Sequence, residues 1–179
     1  MPTADAGEEF WVFGYGSLMW RPGFAFLDQR PARLFGAHRA LCVFSHIHRG
    51  SPRRPGLVLG LDRGGSCRGI AFRVAAEKAA DVLAYLRERE QVTMVYRETR
   101  RLVRIDGGGD AVPALCYVVD RNHAQYAGVL TLGEQLRLVR QGRGQSGVNT
   151  DYIRNTVSHL CQLGIRDRRL EALLARLAI

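Results

Sequence analysis

Glu90 stands where a carboxylate would have to work against its surroundings. In the segment from about Ala76 to Glu90 the apolar residues recur at helical spacing. Counting back from Glu90 by four, seven and eleven residues reaches Leu86, Leu83 and Ala79, all within about 40° of it on a 3.6-residue helix. Glu90 thus shares the apolar face, whereas Glu88, about 200° round, faces solvent. A carboxylate on the core side is desolvated, and the negative end of the helix dipole acts in the same direction, so its pKa rises. Such a group exchanges protons near neutral pH. The competing reading is that the helix ends near Arg89 and that Glu90 only pairs with an arginine.

A second group of residues lies where the first strand should stop. Gly14-Tyr15-Gly16-Ser17-Leu18 brings two glycines to the end of the run from Phe10 to Tyr15. Glycine allows the backbone to approach a ligand closely, so successive N–H groups can turn toward one anionic group; Ser17 adds a hydroxyl and Tyr15 a phenol. An ordinary strand-to-turn junction also explains this segment. It is not a dinucleotide fingerprint, and the chain contains neither a G-x-S-x-G elbow nor a cysteine beside a histidine. His46 and His48 could share one face of a strand, but no third ligand stands at a recognisable spacing, and a solvated loop edge is the plainer reading. Gly144-Gln145-Ser146-Gly147-Val148-Asn149 precedes a helix, for which Asn149 or Thr150 is the expected N-cap.

The elements that must position these groups are strands first and helices last. After Phe10 to Tyr15, a β-like stretch runs from about Arg33 to His46, followed by a loop rich in Gly, Ser, Pro and Arg from Arg49 to Pro55. Leu57 to Leu61 and Arg68 to Val74 read as two strands around a turn at Asp62-Arg63-Gly64-Gly65. Two more strands are expected at Met94 to Ile105 and Val112 to Val119, then helices at Leu132 to Arg140, Thr150 to Leu163 and Arg168 to Leu177. This order implies an α+β domain with helices collected against a closed or strongly curved sheet. No internal repeat or long linker divides it, so a single domain from residue 10 to 179 is expected behind a flexible segment at 1–9.

Composition narrows the partners. The 179 residues are 46% apolar, enough for a core without metal or disulfide staples. No run of about 18 apolar residues suggests a membrane span, and Met1 to Glu9 does not resemble a secretory signal. Cys42, Cys67, Cys116 and Cys161 are scattered, most among apolar neighbours and with no C-x-x-C pair, and read as buried reduced thiols of a cytoplasmic protein. The net charge of +9 raises the question of nucleic acid, but the arginines are spread from Arg21 to Arg176 and no recognition motif accompanies them. A positive field also favours an anionic small substrate.

Taken together these pieces resemble the ChaC-like branch of the γ-glutamylcyclotransferase family over nearly the whole chain. They are Phe13-Gly14-Tyr15-Gly16-Ser17-Leu18-Met19-Trp20, Pro55-Gly56-Leu57-Val58, Gly69-Ile70-Ala71-Phe72, Tyr85-Leu86-Arg87-Glu88-Arg89-Glu90, Tyr117-Val118, Gly144-Gln145-Ser146-Gly147-Val148-Asn149 and Gly164-Ile165. The resemblance implies a small mixed β-barrel with attached helices, the C-terminal ones packed on it. It implies a reaction that converts glutathione to 5-oxoproline and Cys-Gly, with no cofactor and no metal. By the same resemblance Glu90 is the catalytic glutamate, Tyr15, Gly16, Ser17 and Leu18 hold the γ-glutamyl head, and Tyr117 is a hydroxyl partner. The chain departs from a pattern in which glycines follow the glutamate: here Gln91-Val92-Thr93-Met94-Val95 separates Glu90 from Tyr96. The expected partner is a small molecule, glutathione or a related γ-glutamyl peptide or amine, with no nucleic acid and no membrane; the oligomeric state is open. A basic binding module on the same fold, without catalysis, is the reading from another class.

Overall fold

A computed structural model describes residues 8–178 of the chain. Most of the segment expected to be flexible, residues 1–7, therefore lies outside the described residues; Glu9 is described and pairs with Arg73 at 3.2 Å. The chain divides into two compact units, one from the described part of Met1–Arg39 with Leu61–Asp120, the other from Ala40–Gly60 with the described part of Arg121–Ile179.

Five strands close into a barrel in the order β1-β3-β2-β4-β5. They are β1 (Phe10–Gly14), β2 (Asp28–Ser45), β3 (Gly56–Val74), β4 (Tyr96–Ile105) and β5 (Ala111–Val119), and β2 and β3 contribute residues to both units. β1 runs antiparallel to β3, with Val12 opposite Phe72 and Gly14 opposite Ile70, and parallel to β5, with Val12 opposite Leu115. The antiparallel register of β4 on β5 sets Glu98 opposite Tyr117 and Thr99 opposite Cys116. Val12, Phe13, Leu34, Phe72, Val74 and Val103 are all at most 1% exposed and form the barrel unit's core. Such apolar burial is the main driving force for closing a sheet of this kind.

The two strands expected at Leu57 to Leu61 and Arg68 to Val74 are one 19-residue strand, and the turn expected at Asp62 to Gly65 is a bend within it. Gly64 and Gly65 have φ of 98° and 70°, so two residues free of the Cβ penalty deflect the strand without ending its pairing. Gly69, further along the same strand, is held to glycine by a neighbour: an added Cβ would stand 2.2 Å from the Gly14 carbonyl oxygen. β1 can lie this close to β3 only because that side chain is missing.

A 3₁₀ turn at Ala76–Lys78 leads into α1 (Ala79–Glu90), with Asp81 in its first turn and Arg87 and Arg89 in its last, each complementing the helix dipole. Ala79, Val82, Leu83 and Leu86 form its buried face. The helix ends at Gln91 without a glycine, and the loop after it carries Met94 at φ 60°, the one non-glycine residue with positive φ among the described residues.

In the second unit lie α2 (Leu132–Gln141), the short pair β6 (Arg143–Gly144) and β7 (Gly147–Val148), α3 (Asn149–Gln162) and α4 (Arg168–Leu177). α2 opens with a capping box between Thr131 and Glu134. Asn149 and Thr150 do not cap α3: its N-cap is Val148, with no side-chain cap. The fully buried Asn149 instead accepts from the Leu57 N–H at 2.7 Å and donates to the Leu57 carbonyl at 2.8 Å. A buried amide with both ends satisfied can replace a strand neighbour, which is why asparagine serves better here than a cap would.

Candidate active site

Glu90 is the last residue of α1, on the face marked by Leu83 and Leu86, and its side chain is 17% exposed. Burial pushes its pKa above the ordinary carboxylate value, opposed by the positive charge of Arg89, whose Nε lies 3.4 Å from Oε1. Glu88 is exposed, so the helical phase inferred from the sequence holds for both acids. The alternative of a helix ending before Glu90 does not hold, although the pairing with an arginine that accompanied it does.

The loop after β1 turns through a single 3₁₀ turn, Ser17–Met19, closed by a bond from the Met19 N–H to the Gly16 carbonyl. Tyr15 and Leu18 are buried and anchor the loop, while Ser17 is exposed. Two arginines hold it from either side. Arg39, itself buried, donates through Nε to the Tyr15 carbonyl at 2.6 Å and through Nη2 to the Arg68 carbonyl at 2.6 Å. Arg89 donates through Nη2 to Ser17 Oγ at 2.9 Å and through Nη1 to the Arg21 carbonyl at 2.6 Å and Tyr85 Oη at 2.9 Å. Its five fixed N–H donors can reach in several directions at once, which lysine cannot do. Arg89 is therefore the physical link between the Tyr15 to Leu18 loop and Glu90.

Tyr117, 1% exposed, donates its hydroxyl to Glu98 Oε2 at 3.1 Å. Arg87 from α1 grips both oxygens of the same carboxylate, Nε to Oε2 and Nη2 to Oε1, each at 2.9 Å. The guanidinium holds Glu98 below the usual carboxylate range, with the Tyr117 hydroxyl adding to the effect. Desolvation, and then the Glu98 charge, push the Tyr117 hydroxyl well above its normal value; the Glu90 charge adds to the shift. The unit thus carries two carboxylates with opposite tendencies, Glu98 locked as an anion and Glu90 inclined to hold a proton.

Arg39 and Glu98 were not singled out from the sequence, and Tyr85 and Arg87 stood there only within the family motif, without a role. The i,i+4 spacing of Tyr85 and Arg89 was a usable signal for the first of the helix contacts. Nothing local marks Glu98, because its partner is 19 residues away across a strand pair. Among the described residues no group of three or more His, Cys, Asp or Glu could hold a metal ion. His48 Nδ1 instead lies 2.9 Å from Ser146 Oγ, and His46 stacks on Phe44. A cleft of about 510 Å³ lined by Arg54, Leu136, Arg137 and Arg140 belongs to the second unit and contains none of the residues around Glu90. No helix among the described residues is long and apolar enough to cross a membrane.

Residues 10–178 match the family model described as ChaC-like protein, a match that runs through both units. Over 92% of its length the chain is 34% identical to an Escherichia coli (strain K12) protein named glutathione-specific γ-glutamylcyclotransferase, of which it covers 71%. The human glutathione-specific γ-glutamylcyclotransferase 1 is 33% identical over 93% of the chain and 77% of its own length. A crystal structure of a glutathione-specific γ-glutamylcyclotransferase from yeast superposes with a TM-score of 0.84, covering 96% of each chain at 22% identity, which shows a common fold. With the barrel, the loop and the buried glutamate accounted for, the chain belongs to the ChaC-like protein family.

Proposed function

We propose that the chain is a γ-glutamylcyclotransferase that closes the γ-glutamyl group of glutathione into 5-oxoproline and releases Cys-Gly, with Glu90 as the general acid and base. The observation that carries the residue assignment is a carboxylate at the buried end of α1 whose proton affinity is raised, in the same unit as a second carboxylate that is bonded to Arg87 and Tyr117. Environments that separate two carboxyl groups in this way assign the proton-transfer role to the one with the raised pKa.

The chemistry requires little else from the protein. The substrate's α-amine is tethered to its own γ-carbonyl, so attack is intramolecular and no enzyme nucleophile is needed. Glu90 takes a proton from the α-ammonium, the freed nitrogen bonds to the γ-carbon, and the bond from that carbon to the cysteine nitrogen breaks as Glu90 returns the proton to the departing amine; the ring nitrogen then sheds its second proton, which passes by the same carboxylate to the released amine and leaves Cys-Gly as an ammonium. Water is neither consumed nor formed. Tyr15, Gly16, Ser17 and Leu18 would hold the γ-glutamyl head, their loop being pinned by Arg39 and Arg89, and loop N–H groups are suited to steady the oxyanion. Cys42, Cys67 and Cys116 are buried, as expected of reduced thiols in a cytoplasmic setting, whereas Cys161, expected to be buried with them, is exposed.

Incubation with glutathione and, separately, with γ-glutamyl-alanine, followed by measurement of 5-oxoproline, tests this assignment. Release from glutathione alone is the expected result. Release from both widens the substrate class to γ-glutamyl peptides, and release from neither removes the enzyme reading.

A further inference from the structure

We propose that Arg87 and Glu98 form a positioning pair that fixes the Tyr117 hydroxyl as a hydrogen-bond acceptor for the substrate's α-amino group. The inference rests on the γ-glutamylcyclotransferase reading above and gives Tyr117 a definite polarity within it.

The argument is one of hydrogen inventory. A phenol has one proton to give and lone pairs with which to accept. Glu98 lies directly opposite Tyr117 in the β4–β5 register, so the two side chains leave the sheet on the same face. Arg87 closes a two-pronged fork on the Glu98 carboxylate, with both N···O distances at 2.9 Å. Ion pairs of this geometry keep the carboxylate ionised and therefore acceptor-only. The 3.1 Å contact between Tyr117 Oη and Glu98 Oε2 must then use the tyrosine's proton. What the phenol presents to a ligand is a lone pair. It cannot also donate to an oxyanion at the γ-carbon, so its suitable partner is an N–H of the substrate.

The charged groups around the hydroxyl agree. On α1, Arg87, bonded to Glu98, stands one turn before Glu90, whose charge also acts on the hydroxyl; on β4 stands Glu98, with Arg100 close enough to act on that carboxylate. Between Glu90 and Tyr117 Oη, an ammonium can give one proton to the base and a hydrogen bond to the phenol. That leaves the nitrogen's lone pair, once formed, held in a fixed direction toward the γ-carbon. Tyr117 neither gains nor loses a proton in this sequence, in accord with a hydroxyl whose acidity is suppressed by burial.

Glu98→Gln reverses the polarity: with the amide oxygen kept on Arg87, its NH₂ donates to Tyr117 Oη and occupies the lone pair. Tyr117→Phe removes the acceptor while keeping the ring, and it decides the matter if Glu98→Gln should fail to fold. Both variants and the double variant would be assayed for 5-oxoproline release from glutathione and for competitive inhibition by glutaryl-Cys-Gly, which lacks the α-amine. Each single change should lower kcat/KM roughly ten- to a hundredfold, chiefly through KM, as expected for loss of one hydrogen bond to a charged group. The double variant should be no worse than Tyr117→Phe. Inhibition by glutaryl-Cys-Gly should stay within about twofold of the parent, because the lost contact has no counterpart in that molecule. The acid limb of the kcat/KM profile should not move, since burial and Arg89 set the proton affinity of Glu90. Unchanged kinetics, additive losses, or equal weakening of glutaryl-Cys-Gly would each overturn the positioning role. A parent protein without turnover would instead sink the γ-glutamylcyclotransferase reading, and this inference with it.

Discussion

Replacing Arg89 by alanine should separate the loop after β1 from the helix that carries Glu90. The side chain makes three short hydrogen bonds, to the Arg21 carbonyl at 2.6 Å, to Tyr85 Oη at 2.9 Å and to Ser17 Oγ at 2.9 Å, and a fourth at 3.2 Å to the Pro22 carbonyl. Hydrogen bonds to a charged group contribute about 1.5–3 kcal/mol each. Here the acceptors lie at a partly exposed edge, where water replaces the guanidinium once it is gone, so the three do not add in full. A net loss of about 3 kcal/mol is expected, which for a chain of this size lowers Tm by about 6–12 °C. The catalytic signature is separate from the thermal one. Arg89 is the positive charge that opposes the burial of Glu90, so its removal raises the proton affinity of Glu90 further, and the acid limb of kcat/KM moves to higher pH. Arg89→Lys retains a charge but not the fork, so it should recover much of the acid-limb position and little of the Tm. Thermal melts and pH profiles of the three proteins make the comparison. If Arg89→Ala melts with the parent and its acid limb stays in place, Arg89 does not link loop and glutamate.

Glu90→Gln should fold normally and lose roughly a hundredfold or more in turnover, the usual worth of a positioned acid–base group. Because the folded pKa of Glu90 is raised, the stability it contributes is complete below the ordinary carboxylate pKa and is lost as pH rises through the folded value. The variant should therefore melt above the parent at neutral pH and with it at about pH 4; equal melting at both would show that Glu90 is not desolvated. Gly69→Ala should cost about 3 kcal/mol, because its Cβ would meet the Gly14 carbonyl at 2.2 Å and the Phe13 ring at 2.8 Å, forcing β1 from β3; a denaturant midpoint like the parent's would contradict this close approach. Met94→Gly should gain about 1 kcal/mol, the relief of a left-handed side chain less glycine's greater entropy loss. A destabilised Met94→Gly protein would mean that the Met94 side chain packs well enough to outweigh its backbone strain.

The parts of this protein governed by local periodicity could be read directly. Ala79, Leu83 and Leu86 place Glu90 on the buried side of α1 whatever else surrounds the helix, because 3.6 residues per turn is a property of the backbone. The three C-terminal helices fell within a residue of their expected ends for the same reason. Where glycine was read as punctuation the reading went astray, since Gly64 and Gly65 bend β3 and do not end it. Positive φ is available to glycine in a turn and in a bent strand alike, and only the pairing partners decide between them. Asn149 shows the same limit, because its amide satisfies the backbone of Leu57 rather than the helix it begins.

By itself, then, the sequence determined the order of strands and helices, the face on which Glu90 lies, and the family motif that makes the Tyr15 to Leu18 loop intelligible. Tertiary structure decided which charges surround that face. Arg89 reaching Ser17, Arg39 reaching Tyr15, and Arg87 with Glu98 beneath Tyr117 are contacts between residues distant along the chain. Proton affinity depends on burial and on charges a few ångströms away, and both are set by strand register and helix docking, for which no local pattern stands.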